Sequence, residues 1–351
     1  MYKRQGQHLL EVDDLKMYFH TEDGVVRAVD GVSYTLDRGE TLGVVGESGS
    51  GKSVTAMTIM GLISMPPGKI EGGDVRYRGR SILEMTEEEM QHIRGNDIAM
   101  IFQDPMTSLN PVYKIGKQVG EGLRLHRGYS KQEALKRATE LLDLVGIPEP
   151  EKRVNEYPHQ FSGGMRQRVM IAMALACDPD ILIADEPTTA LDVTIQAQII
   201  ELMQEMQEKN GNAIIMITHD LGVVADMADK IMVMYAGRPV EFGTAEEIFY
   251  ESRHPYTWGL IRSIPEQAID EKKPLTPIHG NPPSLMNLPE GCVFSPRCPY
   301  ATDKCRKQRP ERVVTESGHY SACHYSGDPE FLKNAPETSR TRKDSKKGGE
   351  A

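Results

Sequence analysis

The chain has 351 residues, a length that accommodates one large domain with an appendix or two modest domains. Its apolar fraction, 39% before its 32 glycines are added, excludes wholesale disorder. The net charge of −10 argues against a nucleic-acid-binding protein, because such proteins concentrate positive charge. The most apolar segments, such as Ile214–Thr218, fall far short of the roughly 20 residues that span a bilayer. No apolar signal segment follows the N-terminus, so we expect a cytoplasmic location.

The first strands of the chain are predicted to be antiparallel. Apolar residues alternate along Leu9–Phe19 and Val25–Leu36, on either side of a turn at Glu22-Asp23-Gly24. Short apolar runs then alternate with helical patterns, which indicates a parallel α/β sheet. These runs are Thr41–Val45, Ile98–Phe102, Ile181–Ala184, Ala213–Thr218 and Lys230–Tyr235. Two helical stretches with no strand between them, Lys114–His126 and Ser130–Val145, predict an inserted helical subdomain.

A glycine-rich segment follows the first parallel strand. It reads Gly46-Glu-Ser-Gly-Ser-Gly51-Lys52-Ser53 and matches the P-loop pattern G-x-x-x-x-G-K-[ST] between a strand and a helix. Glycines let backbone N–H groups wrap phosphates, Lys52 reaches the terminal phosphates, and Ser53 binds Mg²⁺. An ordinary glycine-rich turn is the weaker alternative. The expected nucleotide contacts are Gly46, Ser48, Gly49, Ser50, Gly51, Lys52, Ser53 and Val54.

An apolar strand ends in two carboxylates, Asp185 and Glu186. A buried strand that delivers charge to a site does so at its C-terminal end. We interpret Asp185 as a residue of the Mg²⁺ shell and Glu186 as the group that orients, or accepts the proton of, the attacking water. Alternatively the pair only caps the next segment before Pro187. The P-loop upstream favours the catalytic interpretation.

A further helix begins in the segment Phe161-Ser-Gly-Gly-Met-Arg-Gln-Arg. The Ser162 hydroxyl and the N–H groups of Gly163 and Gly164 form a second anion site at this helix start. Because the chain already has its own P-loop, this site predicts contact with the phosphate of a partner chain. Taken alone, Ser-Gly-Gly is also simply a favourable helix start.

This segment resembles the signature of ABC transporter ATPases, usually Leu-Ser-Gly-Gly-Gln, in the variant typical of oligopeptide and dipeptide importers. The resemblance covers about Leu10–Cys323. It implies an α/β P-loop NTPase core, with a RecA-like sheet, an antiparallel β subdomain and an inserted helical subdomain, followed by a small irregular cysteine-containing module. The implied ATPase domain is 8–252 with its helical subdomain at about 104–178, the module is 253–325, and 326–351 is a disordered tail.

The resemblance also assigns roles to residues outside these motifs. Gln103 resembles the Q-loop glutamine that contacts Mg²⁺ and the attacking water. Asp192 ends Ala190-Leu191-Asp192, which resembles the D-loop that communicates between two nucleotide sites. His219 resembles the switch histidine that contacts the γ-phosphate. The family pattern favours Phe19 over Tyr18 as the aromatic that stacks on adenine, although an aromatic at a strand end is also a common core residue.

Together these motifs predict a subunit that binds and hydrolyses ATP with Mg²⁺ and powers an importer. Oligopeptides or dipeptides are the favoured cargo, with nickel and oligosaccharides as alternatives within the same subfamily. The expected partners are a related but distinct second ATPase chain, two membrane permeases, and an extracellular or periplasmic substrate-binding protein. This peripheral subunit would contact the permeases on their cytoplasmic side.

Two other functions are disfavoured. A soluble ABC protein of DNA repair or translation usually carries two ATPase domains or long insertions, whereas this chain has one set of motifs and an acidic balance, so no nucleic-acid partner is expected. A regulatory subunit that binds ATP without cleaving it would not need the Glu186 and His219 that are present.

Four of the five cysteines cluster near the C-terminus with the spacing Cys-x5-Cys-x6-Cys-x17-Cys, at Cys292, Cys298, Cys305 and Cys323. The segment is too poor in apolar residues to build a core, and four thiolates can supply all ligands of a [4Fe–4S] cluster or a tetrahedral zinc ion. The spacing lacks paired Cys-x2-Cys knuckles, and the similar ends of the importers that this chain resembles hold an iron–sulfur cluster. We favour the cluster, with zinc or unligated thiols as alternatives, and expect Cys177 to be a buried core thiol.

Overall fold

The computed structural model describes residues 8–103, 108–187, 193–225, 227–264 and 278–336. Its strands are β1 (Leu10–Thr21), β2 (Gly24–Leu36), β3 (Thr41–Val45), β4 (Gly68–Tyr77), β5 (Arg80–Ser81), β6 (Ile98–Ile101), β7 (Ile181–Asp185), β8 (Ala213–Thr218), β9 (Lys230–Tyr235), β10 (Arg238–Thr244), β11 (Val313–Val314) and β12 (Tyr320–Ser321). Its helices are α1 (Lys52–Ile59), α2 (Glu87–Ile93), α3 (Ile115–Val119), α4 (Glu121–His126), α5 (Lys131–Leu144), α6 (Pro150–Arg153), α7 (Gly163–Leu175), α8 (Val193–Asn210), α9 (Leu221–Ala225), α10 (Ala245–Tyr250), α11 (Pro255–Arg262), α12 (Asp303–Lys307) and α13 (Pro329–Leu332). None of these described helices has both the length and the apolar character needed to cross a bilayer.

The N-terminal strands form an antiparallel sheet with the order β2-β1-β4-β5. The predicted hairpin of β1 and β2 is present, with Thr21 paired to Gly24 at its end. One face of β1 buries Leu10 and Val12 and then Leu15 and Met17; each pair follows the period of two along a strand, and a register shift between Val12 and Leu15 separates the pairs. β4 is not predicted from the sequence, because its glycines and exposed polar residues hide the apolar alternation.

Within the described residues, the main sheet has eight strands in the order β11-β12-β10-β9-β3-β8-β7-β6. The five strands from β9 to β6 are parallel, which confirms the predicted α/β core. β3, β7 and β8 are buried along their whole length, since helices or the second sheet cover both faces. Their carboxyl ends meet at one edge of the sheet, where candidate site residues follow each strand.

The predicted inserted helices lie between β6 and β7. α5 is amphipathic and begins at a capping box, in which Ser130 and Glu133 satisfy each other's backbone N–H groups. Its buried residues Leu141 and Leu142 belong to the same apolar cluster as Val169 and Ile171 of α7. The helix that starts with the signature segment therefore joins the inserted helices to the sheet.

The C-terminal module is mostly irregular, and its two short strands extend the main sheet. β12 pairs antiparallel with β10, and β11 adds a further edge strand. Phe294 is buried, and its ring centroid lies 5.2 Å from that of Tyr235 and 5.4 Å from that of Tyr256. The expectation that the segment is too poor in apolar residues to build a core is thus corrected, because a few aromatic side chains bury a large area each.

The structured chain extends past the predicted start of the tail at residue 326. The Phe331 ring in α13 lies 5.3 Å from Trp258 and 5.5 Å from Tyr300, centroid to centroid. Arg262 also donates a hydrogen bond of 2.7 Å to the carbonyl of Asn334. Residues 326–336 therefore pack on the module, and the rest of the predicted tail lies outside the described residues.

Candidate functional site

The glycine-rich loop between β3 and α1 has a backbone that only glycine accommodates at two positions. Gly46 has a φ of 153° and Gly51 a φ of 99°. A Cβ atom at Gly46 would lie 2.2 Å from the carbonyl oxygen of Met234, and one at Gly51 would lie 2.3 Å from that of Ala28. Such distances exclude any larger residue. The loop is thus held against the neighbouring backbone, and it ends at the N-terminus of α1, where N–H groups favour anions.

Lys52 lies inside this loop. Its side chain is buried, and Nζ donates to the carbonyl oxygens of Gly46 at 2.7 Å and Glu47 at 3.0 Å. Burial lowers the pKa of the ammonium, while the carboxylates of Glu186, Asp185 and Glu47 oppose that effect. Lys52 therefore interacts electrostatically with both acids at the end of β7, beside which the sequence predicts the phosphates to bind.

Two oxygen donors that are predicted to bind Mg²⁺ meet at this edge. Ser53 Oγ donates to Asp185 Oδ1 at 2.9 Å, and oxygen ligands of this kind are those that Mg²⁺ prefers. Burial raises the pKa of Asp185, and the negative charge of Glu186 raises it further. The hydrogen bond from Ser53 acts in the opposite direction. A bound cation would offset the cost of placing two acids side by side, so these residues fit the ion.

Ser50 offers an independent sign of a ligand at the loop. Its hydroxyl is buried and has no hydrogen-bond partner among the described residues, although buried hydroxyls usually have one. The neighbouring Ser48 and Gly49 are exposed. Val54 packs its side chain on the apolar cluster beneath the antiparallel sheet, so a nucleotide contact at this position would come from its backbone.

Three candidate catalytic side chains from distant parts of the chain converge. Gln103 Nε2 donates to Glu186 Oε2 at 2.9 Å, and His219 Nδ1 lies 3.5 Å from Glu186 Oε1. Glu186 has a φ of 47°, a left-handed conformation that costs energy for a non-glycine residue and is enriched at functional sites. Its N–H donates to the carbonyl of Ile217 at 2.9 Å, which fixes the carboxylate beside the end of β8.

The signature segment presents an open helix start. Ser162 is the N-cap of α7, and its Oγ accepts the N–H of Met165 at 3.3 Å. Ser162 and Gly163 are exposed, and a Cβ at Gly163 would meet nothing within 4 Å. Gln167 on the same helix is not predicted from the sequence; its buried Nε2 donates to the carbonyl of Pro187 at 2.7 Å. Through this bond the signature helix is tied to the residue after Glu186.

The two adjacent aromatic candidates of β1 differ in their contacts. Tyr18 donates its hydroxyl to Asp30 Oδ1 at 3.0 Å, and Asp30 is paired with Arg238 at 2.7 Å. Neighbouring residues of a strand point to opposite faces, so Phe19 lies on the other face and stays the predicted adenine contact. The predicted D-loop residue Asp192 lies outside the described residues.

The structure brings the four clustered cysteines to the wall of one cavity, which is also lined by Phe294, Tyr300, Tyr325 and Phe331. Burial raises the pKa of the Cys298 thiol to about 11 and that of Cys323 to about 12. No group of three or more His, Cys, Asp or Glu side chains in the described chain is arranged to hold a metal ion. The arrangement of these side chains therefore gives no support to the predicted metal site. Cys177 is buried in the main apolar cluster.

Known proteins that are similar to this chain support an ATP-binding site. Residues 29–189 match the family model described as "ABC transporter", and residues 240–305 match "Oligopeptide/dipeptide transporter, C-terminal region". The oligopeptide transport ATP-binding protein OppD of Bacillus subtilis (strain 168) is 58% identical over 89% of this chain and 87% of its own length. The dipeptide transport ATP-binding protein DppD of Escherichia coli (strain K12) is 52% identical over 91% of this chain and 97% of its own.

Among solved structures, the dimeric post-hydrolysis state of the ATP-binding cassette MJ0796 bound to ADP and Pi superposes with a TM-score of 0.61. It is 29% identical and is matched over 67% of this chain and 98% of its own. The fold and the motifs define an ABC transporter ATPase, a subunit that binds and hydrolyses ATP. More narrowly, the chain belongs to the family of oligopeptide and dipeptide transport ATP-binding proteins.

Proposed function

We propose that this subunit hydrolyses ATP at the carboxyl edge of its main sheet to power the import of oligopeptides or dipeptides. The observation that carries the proposal is the convergence of Gln103 and His219 on Glu186, next to the Ser53–Asp185 pair and the glycine-rich loop. The peptide cargo is supported by the names of the similar proteins from Bacillus subtilis and Escherichia coli and by the matching C-terminal region.

The chemistry is assigned to the chain's own side chains as follows. The glycine-rich loop and Lys52 bind the phosphates, and Ser53, Asp185 and Gln103 hold Mg²⁺. When bound, Mg²⁺ neutralises charge that develops on the phosphates. Glu186 orients the attacking water and accepts its proton at a carboxylate oxygen, because it is the acid beside the phosphate site that both Gln103 and His219 contact. His219 contacts the transferred phosphoryl group.

A second ATPase chain is proposed to complete the site. The exposed start of α7 at Ser162 and Gly163 suits an anion that the chain's own loop does not supply. Two membrane permeases and a substrate-binding protein outside the membrane would complete the importer. The subunit would then lie peripherally on the cytoplasmic face of the membrane.

The assignment of Glu186 is tested by Glu186→Gln in the assembled complex. The amide cannot accept a proton, so we expect steady-state ATPase activity to fall by at least about 100-fold while nucleotide binding is retained. Near-normal hydrolysis would falsify the assignment. The cargo is tested by uptake into vesicles that contain the complete transporter, with labelled dipeptide, pentapeptide, nickel and trisaccharide; accumulation of nickel or sugar but neither peptide would refute the peptide importer.

We also propose that the cysteine cavity holds a [4Fe–4S] cluster with a structural role. All four cysteines line this one cavity, together with several aromatic side chains. Buried thiols ionise only beside compensating positive charge, and the iron of a cluster supplies that charge. A zinc ion is less favoured, because the cysteine spacing lacks the paired Cys-x2-Cys knuckles common in structural zinc sites.

The cluster is tested on anaerobically purified protein. We expect a brown colour and iron and acid-labile sulfide near four per chain, as for a full cluster. A Cys→Ser change at any of the four positions should remove both, whereas Cys177→Ser, in the core, should leave both in place. Stoichiometric zinc without iron would reject the cluster and retain a metal-stabilised module.

A further inference from the structure

Arg297, a residue of the C-terminal module, contacts the glycine-rich loop directly. Its guanidinium makes a bidentate pair with Glu47, the second residue of that loop, with Nη1 to Oε2 at 2.5 Å and Nη2 to Oε1 at 3.0 Å. The Arg297 side chain is 4% exposed. Its other hydrogen bonds go to the carbonyls of Ile278 at 3.1 Å and His279 at 2.9 Å and to the hydroxyl of Tyr235 at 3.3 Å. The guanidinium is therefore fixed, and so is the carboxylate it holds.

The backbone of Glu47 is held on both sides. Its N–H donates to the hydroxyl of Tyr256 in α11 at 2.9 Å, and its carbonyl accepts from Lys52 Nζ at 3.0 Å. The Tyr256 ring packs 4.6 Å from that of Tyr235, centroid to centroid. The module thus holds a loop residue whose carbonyl, like that of Gly46, accepts a hydrogen bond from Lys52.

We propose that Arg297 is a positioning residue for ATP binding, which acts by orienting Glu47 and neutralising its charge. This inference rests on the proposed nucleotide site. A glycine-rich loop binds phosphates through N–H groups and a lysine, and an unpaired carboxylate there would repel the polyphosphate. A planar guanidinium that forms two hydrogen bonds with a carboxylate removes that repulsion and restricts the geometry of the loop.

Two roles for Arg297, a structural bridge between module and core or a positioning residue, predict different results for a variant that also lacks Glu47. If Arg297 only holds the module in place, removing Glu47 as well cannot repair its loss. If Arg297 neutralises Glu47, then Arg297→Met leaves a bare carboxylate beside the phosphates, and a second change, Glu47→Gln, removes that carboxylate. Rescue by the second substitution therefore separates the two roles.

The test uses the complete transporter and MgATP, with KM and kcat measured for each variant. For Arg297→Met we expect KM for ATP to rise about tenfold, the size of one charge-assisted contact, with kcat changed less than about threefold. The double variant Arg297→Met/Glu47→Gln should recover most of that rise. Arg297→Lys, which keeps the charge but not the bidentate geometry, should fall between wild type and Arg297→Met.

Separate results would contradict the role of Arg297 and the nucleotide site itself. An unchanged KM for Arg297→Met, or a double variant as impaired as the single one, would overturn the positioning role. Lys52→Ala serves as the independent arm, since normal ATP binding by that variant would reject the nucleotide site itself. Should Arg297→Met fail to assemble, the comparison is made with Arg297→Gln, which also removes the charge but keeps a polar side chain.

Discussion

The buried imidazole of His254 should make the stability of the C-terminal module depend on pH. This side chain is 1% exposed and caps α11, where its Nδ1 accepts the N–H of Tyr256 at 3.1 Å. Burial lowers its pKa to about 4, although the nearby carboxylate of Glu241 opposes the shift. The folded protein therefore keeps the ring neutral at a pH at which an unfolded chain protonates it.

The sign and size of the effect follow from the two pKa values. The unfolded ring binds a proton below about 6.5 and the folded ring only near 4, so the stability contribution is complete above pH 6.5 and is lost as the pH falls from 6.5 towards 4. At about 1.4 kcal/mol for each pH unit of that window, the full loss is about 3 kcal/mol. About 2 kcal/mol of it should already be lost at pH 5.

Urea unfolding between pH 7.5 and pH 5 measures this loss, with the fluorescence of the single tryptophan as the probe. Trp258 is buried in the helix that His254 caps. The matched control is His254→Asn, whose side-chain oxygen can still cap the helix but does not titrate. Parallel curves of unfolding free energy against pH for the two proteins would refute the reasoning.

Three further predictions concern the nucleotide site. Lys52→Ala should weaken MgATP binding at least about tenfold by removing a charge-assisted contact, and unchanged affinity in a fluorescent-nucleotide titration would contradict its role. Gly46→Ala should abolish ATP binding, because its Cβ would lie 2.2 Å from the carbonyl oxygen of Met234; tight binding in the same titration would show that the loop can shift. The isolated chain should be nearly inactive when dilute and gain activity per chain with concentration or with its partner, since the exposed Ser162 helix start needs a phosphate from another chain. A monomer verified by light scattering that hydrolyses ATP at the rate of the complex would rule this out.

Much of the core could be predicted from local patterns alone. The bounds of β3, β8 and β9 agree with the apolar runs in the sequence, because strands covered on both faces are apolar throughout. The glycine-rich loop was equally visible, since the backbone at Gly46 and Gly51 tolerates no side chain. A strand such as β4, with polar residues on an exposed face, left no such signal.

Only the tertiary structure decides which residues that are far apart in the chain contact each other. The sequence indicated that Gln103, Glu186 and His219 belong to one site, and folding of parallel strands to a common edge is what brings them within hydrogen-bond reach. No spacing rule indicates that Arg297 holds Glu47 or that Gln167 reaches the residue after Glu186. Such pairs depend on how separate elements pack, and packing is set by the whole core and not by any local pattern.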